Sequence, residues 1–306
     1  MVCCASPTLD VTLHPDEYHA HPAMSATRLK AMVTGTALDY WAKHVDPERE
    51  VFQPTDAMRQ GSLVDCLLTE PTEFHKRYAV LPADAPKKPT SSQRNAAKPS
   101  EATVLAIAWW DQWLLSNDGK EVVNEEWIDT AHAIAGRLRA DPVIGPLLAS
   151  LPTKQKPHFW TDAEGRECRY KPDLEVPGQK ILLDLKKTIS AHPLMFRNQA
   201  WKLGYDVQLA HYSLGYADRH GFAPEQTGFI AYEWKKPYNY SLVWADEEFM
   251  DEGFRRRDEA FDRIAECEAR NEWPSYGEAW IVPPAWADVS SADDDTNLDD
   301  LGLEGL

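Results

Sequence analysis

No uncharged apolar run in this sequence approaches the ~20 residues that a membrane-spanning helix needs; stretches such as 143–150 and 181–183 stop far short. Positive charge is scarce as well. The 32 Lys and Arg stand against 49 Asp and Glu, a formal net charge of −17, which excludes a histone-like or basic-arm binder. Cysteine is too sparse for a disulfide framework: Cys3, Cys4, Cys66, Cys168 and Cys267 are odd in number and scattered, a pattern that fits reduced thiols in a cytoplasm. Residues 1–10 hold no basic stretch followed by an apolar core, so no secretory signal is expected. No internal repeat is visible. What remains is a 306-residue chain with 43% hydrophobic residues and 12 Trp, enough to bury a substantial core in one large domain or two small ones.

Acidity concentrates at the end. Residues 287–306 carry Asp288, Asp293, Asp294, Asp295, Asp299, Asp300 and Glu304 and no basic residue, so this tail is expected to be disordered. It reads either as a solubilising tail, or as a docking motif for a basic partner or a competitor for a nucleic-acid groove. The stretch 82–99 has four prolines and a local excess of Lys87, Lys88, Arg94 and Lys98 over Asp84. It is expected to be an exposed loop, either a connector or a phosphate contact.

Helical patterns fill the first half. They start at Ser25, a suitable N-cap, and continue over 37–44, 61–68, 101–115 and 124–140, with a further helix that Pro142 opens. Strand patterns follow at 157–161, 168–176, 180–187, 226–233 and 240–245. A long helix over 196–218 is expected between them, with Trp201, Tyr205, Leu209, Tyr212 and Tyr216 as its apolar stripe. A charged helix over 246–271 closes the fold on Phe249, Phe254, Phe261, Ile264 and Ala265. The fold class is therefore α/β (α+β), with a helical N-terminal half.

The chemistry gathers around Asp173, which follows Lys171-Pro172, and around Asp184-Leu185-Lys186 after ten intervening residues. Strand alternation puts Asp184 and Lys186 on one face and Leu183 and Leu185 on the other. A carboxylate inside so apolar a strand is costly unless it meets a cation. The turn Pro177-Gly178-Gln179 folds the two strands into a hairpin that brings Asp173 near Asp184. Two carboxylates with the Leu185 carbonyl close by form a hard-oxygen site suited to Mg²⁺ or Mn²⁺. Lys186 then faces the attacking water and screens charge building on the phosphorus. Two surface hairpin acids would give the same spacing.

The surrounding strings, in order, are MSATRLK at 24–30, YW at 40–41, AMRQGSLVDCLLTEP at 57–71, YKPD at 170–173, LDLKKT at 183–188, GYDVQLAHY at 204–212 and EWKKPY at 233–238. Together they resemble the RecE-type exonucleases of phage and prophage recombination, members of the PD-(D/E)XK nuclease superfamily, over roughly residues 20–285. The resemblance implies a restriction-endonuclease-like core, a central mixed sheet flanked by helices. It implies a single domain over 21–286 between an N-terminal segment (1–20) and the tail. It places Asp65 at a metal-ligand position where the family carries His, although an Asp on a helix is also easily capped or exposed. It matches Gln208 and Tyr212 to the family's later Gln-Tyr motif, which share a helical face at i and i+4; Tyr212 also fits the core stripe. Lys187 and Thr188, directly after the Asp184–Lys186 strand, and Arg28, Lys30 and Arg59, on helices ahead of Asp65, are candidates for DNA phosphates; Lys187 also fits a plain strand-end charge, and Arg28, Lys30 and Arg59 ordinary surface charges.

The activity so implied is Mg²⁺-dependent digestion of one strand of linear duplex DNA, 5′ to 3′, in the cytoplasm of a bacterial host. It would leave 3′ single strands for a RecT-like annealing protein, and a homo-oligomeric ring is among the assemblies implied. An iron–sulfur relative is disfavoured, because it needs four thiolates that can meet, whereas Cys66 lies within the helix that carries Asp65 and Cys168 and Cys267 are isolated, so no cluster is expected. The competing class is a catalytically silent DNA-end binding or docking module of the same fold.

Overall fold

A computed structural model describes residues 15–50, 52–150 and 156–278. The acidic tail, Cys3, Cys4 and most of the N-terminal segment lie outside the described residues. Helices begin where short polar side chains can take up the free N–H groups of a first turn. α1 (Pro15–Ala20) precedes α2 (Ala26–Thr34), which Ser25 caps through the Arg28 N–H. A Thr36/Asp39 capping box opens α3 (Ala37–His44), and Thr55 caps α4 (Asp56–Thr69). After α5 (Phe74–Arg77) the chain enters β1 (Tyr78–Leu81), and then the proline-bearing stretch with a one-turn α6 (Ser91–Arg94). α7 (Glu101–Ser116), β2 (Glu121–Asn124), α8 (Glu125–Ala140) and α9 (Ile144–Ala149) complete the first half. β1 and β2 pair in parallel, a small sheet that the sequence patterns did not predict.

The second half builds the central sheet. β3 (His158–Thr161) and β4 (Glu167–Tyr170) form a hairpin of their own. β5 (Leu174–Val176), β6 (Ile181–Thr188), β7 (Gln226–Glu233) and β8 (Tyr240–Trp244) follow in spatial order. β6 and β7 run parallel and the outer pairs antiparallel, so the sheet is mixed, as expected. α10 (Pro193–Lys202) and α11 (Tyr205–His220) make the crossover that a parallel pair requires. α12 (Glu247–Arg270) closes the described fold. Among the described residues, no helix is long and apolar enough to cross a membrane.

The alternation of β6 divides the core. Leu183 and Leu185 join Leu63, Val64 and Leu67 of α4, with Ile134 and Leu138 of α8, on one face. Leu182 joins Leu29 and Met32 of α2, Val207 and Tyr216 of α11 and Phe261 of α12 on the other. The buried face of α12 carries Gly253, Arg257, Ala260, Phe261, Ile264 and Cys267, and Ala265 is exposed.

Three other expectations are corrected. The long helix over 196–218 is two helices, because Gly204 adopts φ 67° and breaks the ladder; Trp201 falls outside the stripe and is 45% exposed. The strand over 168–176 is two strands in different sheets, parted at Lys171-Pro172-Asp173, where proline cannot donate to a ladder. Pro142 does not open α9. The Asp141 carboxylate instead accepts from the Val143 and Ile144 N–H groups, and the helix starts at Ile144.

Candidate active site

The β5–β6 hairpin pairs Leu174 with Leu183 and Val176 with Ile181, so the next step of the register sets Asp173 beside Asp184. Asp173 lies just before β5, and its Oδ2 accepts from the Leu185 N–H at 2.9 Å. Asp184 is only 2% exposed. Its Oδ2 is ion-paired with Lys186 Nζ, and its Oδ1 accepts from Gln208 Nε2 at 2.8 Å. Asp65 comes from α4, on the Leu183 side of the sheet. The Tyr232 hydroxyl, which donates to the Gly61 carbonyl at 3.5 Å, lies close enough to lower the Asp65 pKa, and Asp65 Oδ1 is buried with no hydrogen-bond partner.

Burial and mutual repulsion decide the charges. Burial first, then the Asp184 carboxylate, push Asp65 up to about 8, against the pull of Lys186, Tyr232 and Lys171. Asp173 rises well above the ordinary carboxylate range for the same reasons, burial, then Asp184 and Asp65, despite Lys186 and the Leu185 N–H. Burial draws Lys186 down, but Asp184, Tyr205 and Asp173 outweigh it and hold the ammonium firmly charged. Burial, then Asp184, Tyr18 and Asp173, lift the Tyr212 phenol far above its usual value. Without a cation, then, Asp65 and Asp173 hold their protons more tightly than ordinary carboxyls, and Lys186 Nζ lies against Asp184 Oδ2.

Such a group has the composition of a divalent-cation site. Carboxylates that repel one another into holding protons, one with an orphaned buried oxygen, would be relieved by a cation. As placed, no three His, Cys, Asp or Glu side chains among the described residues surround one point closely enough to hold an ion. Lys186 occupies Asp184 Oδ2, and the Leu185 amide occupies Asp173 Oδ2.

Residues 25–281 match the family described as a PDDEXK-like domain of unknown function, DUF3799. The chain belongs to this PDDEXK-like family. No curated protein matches it. Among solved structures, a candidate exonuclease from Eubacterium rectale aligns over 92% of this chain and 99% of its own, with a TM-score of 0.59 at 15% identity, a likeness of fold. A phage related exonuclease from Haemophilus somnus 129PT aligns over 61% of this chain and 92% of its own, with a TM-score of 0.29 at 13% identity.

Within this PDDEXK-like chain, Asp65, Asp173, Asp184, Lys186 and Gln208 are brought together, with Tyr212 one turn along α11. The phosphate candidates are dispersed. Arg28 donates to the Pro22 and His44 carbonyls. Arg59 is held by Glu121 at 2.6 Å, Asp56 and the Val122 carbonyl. Thr188 is buried, donating to the Ser190 carbonyl and Gln199. Lys187 is half-buried at the strand end. Lys30 lies inside the site, donating to Gln208 Oε1 at 2.7 Å; burial, then Lys186, lower it to about 7 against Asp184 and Asp206. Sequence reasoning missed Tyr232, although alternation along β7 put it on the Ile230 side with α4. It also passed over Tyr205 as a site residue, one turn before Gln208, whose ring lies 4.8 Å from Lys186 Nζ.

Proposed function

We propose that this chain is a metal-dependent exodeoxyribonuclease of RecE type. It digests one strand of linear duplex DNA from its end, 5′ to 3′, and leaves a 3′ single strand for a RecT-like annealing protein. The observation that carries the reading is the gathering of Asp65, Asp173 and Asp184 beside a charged, half-buried Lys186 in a PDDEXK-like fold. The polarity, the annealing partner, a ring assembly and a bacterial cytoplasmic setting rest on sequence resemblance.

Mg²⁺, or Mn²⁺ in its place, would be held by Asp65, Asp173 and Asp184 with the Leu185 carbonyl. When bound it supplies a Lewis acid for the scissile phosphate and acidifies water. The chain does the rest. Lys186 keeps its charge beside the phosphate, where negative charge grows in an in-line displacement. Gln208 orients Asp184 through Nε2. Tyr212, held protonated, remains a hydrogen-bond donor. Lys187 is the phosphate candidate best placed at the rim, since the donors of Arg28 and Arg59 are engaged within the protein.

Linear duplex labelled at either the 5′ or the 3′ end, incubated with Mg²⁺ and separately with Ca²⁺, tests the reading. Release of the 5′ label with Mg²⁺, abolished by Asp184→Ala, is expected. Duplex binding without digestion would instead assign a binding module.

A further inference from the structure

Gln208 stands between two partners of opposite character. Its Nε2 donates to Asp184 Oδ1 at 2.8 Å, and its Oε1 accepts from Lys30 Nζ at 2.7 Å. Lys30 Nζ carries N–H donors whether or not it holds its last proton, and a carboxylate only accepts, whereas a carboxamide does both, at opposite ends. The two contacts therefore favour one orientation of the amide over the other, which would set Oε1 against the Asp184 oxygen and give up the Lys30 N–H to Oε1 bond. We infer that Lys30 is a positioning residue: it fixes which end of the Gln208 carboxamide meets Asp184, and so holds that carboxylate in place for the reaction.

The fold makes room for this contact. Gly204 sits at φ 67°, and a Cβ there would lie 3.2 Å from Lys30 Cγ and 3.3 Å from Thr34 Cγ2. The next residue, Tyr205, offers its ring to the Lys30 ammonium at 5.2 Å, a cation–π contact. The same ring lies 4.8 Å from Lys186 Nζ. Gly204, Tyr205 and Gln208 thus form, on the opening turn of α11, a seat for one side chain of α2. The role differs from that of a phosphate grip, because the Lys30 ammonium is spent on Gln208 and Tyr205 inside the protein.

The inference rests on Asp184 belonging to the reacting centre, and its test separates the two ideas. Lys30→Met, Gln208→Ala and the pair form a double-mutant cycle, with Lys30→Arg as the conservative variant. Single-turnover cleavage of end-labelled duplex is measured with Mg²⁺, and duplex binding with Ca²⁺. Each single variant is expected to slow cleavage by about 10–100-fold, as small misplacements of reacting groups do. The double variant should be no slower than Gln208→Ala alone, duplex affinity should stay within about threefold, and Lys30→Arg should recover most of the rate. Losses that multiply overturn the inference. So does weaker duplex binding with unchanged cleavage at saturation and a salt slope smaller by about one, the mark of a phosphate contact. A second readout needs no turnover: the side-chain NH₂ resonances of Gln208, assigned by their loss in Gln208→Ala, should shift in Lys30→Met and return in Lys30→Arg. Resonances that stay put sink the inference even in an active enzyme; resonances that move in a protein that cuts nothing keep it and remove the nuclease reading.

Discussion

Cation binding to the carboxylate cluster should release protons, and the amount follows from the structure. With Asp65 pushed up to about 8, roughly 1% of it is ionised at pH 6 and about three-quarters at pH 8.5, from the ordinary titration curve. A ligand that must first lose that proton loses about tenfold in apparent affinity for each pH unit below 8. Between pH 8.5 and pH 6, Ca²⁺ should therefore bind roughly eightyfold more weakly through Asp65 alone, and Asp173, raised for the same reasons, steepens the dependence. Titration calorimetry of Ca²⁺ into the intact protein, in buffers of different ionisation enthalpy, counts the protons; between one and two per site are expected near pH 6.5. Affinity independent of pH, with no proton release, would refute the placement of Asp65 and Asp173 as ligands. The same displacement acts on folding with a definite sign. Asp65 holds its proton more tightly folded than unfolded, so its contribution to stability is fully present below pH 3.8 and is lost as the pH rises through about 8. Metal-free protein should melt at lower temperature at pH 9 than at pH 6, and saturating Ca²⁺ should remove most of that difference.

Lys186→Met should cut the cleavage rate by more than about a hundredfold, as loss of a preorganised charge does, while Ca²⁺ still binds by calorimetry; full activity would remove Lys186 from the chemistry. Tyr232→Phe takes away a nearby hydroxyl that lowers the Asp65 pKa, so the pH midpoint of Ca²⁺ binding should move up, and a downward move would contradict that influence. Gly215→Ala should destabilise the protein by about 1–3 kcal/mol, as overpacking does, because a Cβ there would come within 2.3 Å of Tyr170 Cδ1 and 2.9 Å of Trp160 Cζ3. An unchanged melting temperature in scanning calorimetry would speak against the packing of α11 on β4.

The β5–β6 hairpin was legible because its determinants are local. Period-two alternation over 181–188 and a proline–glycine turn were enough to set Asp173 beside Asp184, and β5 and β6 have that register. Helix starts were legible at Ser25 for the same reason, a cap needing only three residues of context. The break at Gly204 was not, since a glycine within an amphipathic stripe is compatible with a continuous helix until its φ is known. Spacing also could not sort the basic residues. Arg59 and Lys30 read alike in sequence, yet one is held by Glu121 on β2 and the other by Gln208 on α11. Those partners are chosen by the packing of distant elements.

The bond between Lys30 and Gln208 joins positions 178 residues apart, and Asp65 likewise approaches Asp184 from a remote stretch of chain. Contacts of such long sequence separation carry a loop-closure cost that is repaid only once the intervening segments have docked, and they tend to form late. A nascent or partly unfolded chain can therefore own the hairpin with Asp173, Asp184 and Lys186 and still lack a competent centre. If the proposed chemistry holds, that delay would keep cutting back until the chain has matured, and local opening of α2 or α4 would disarm it.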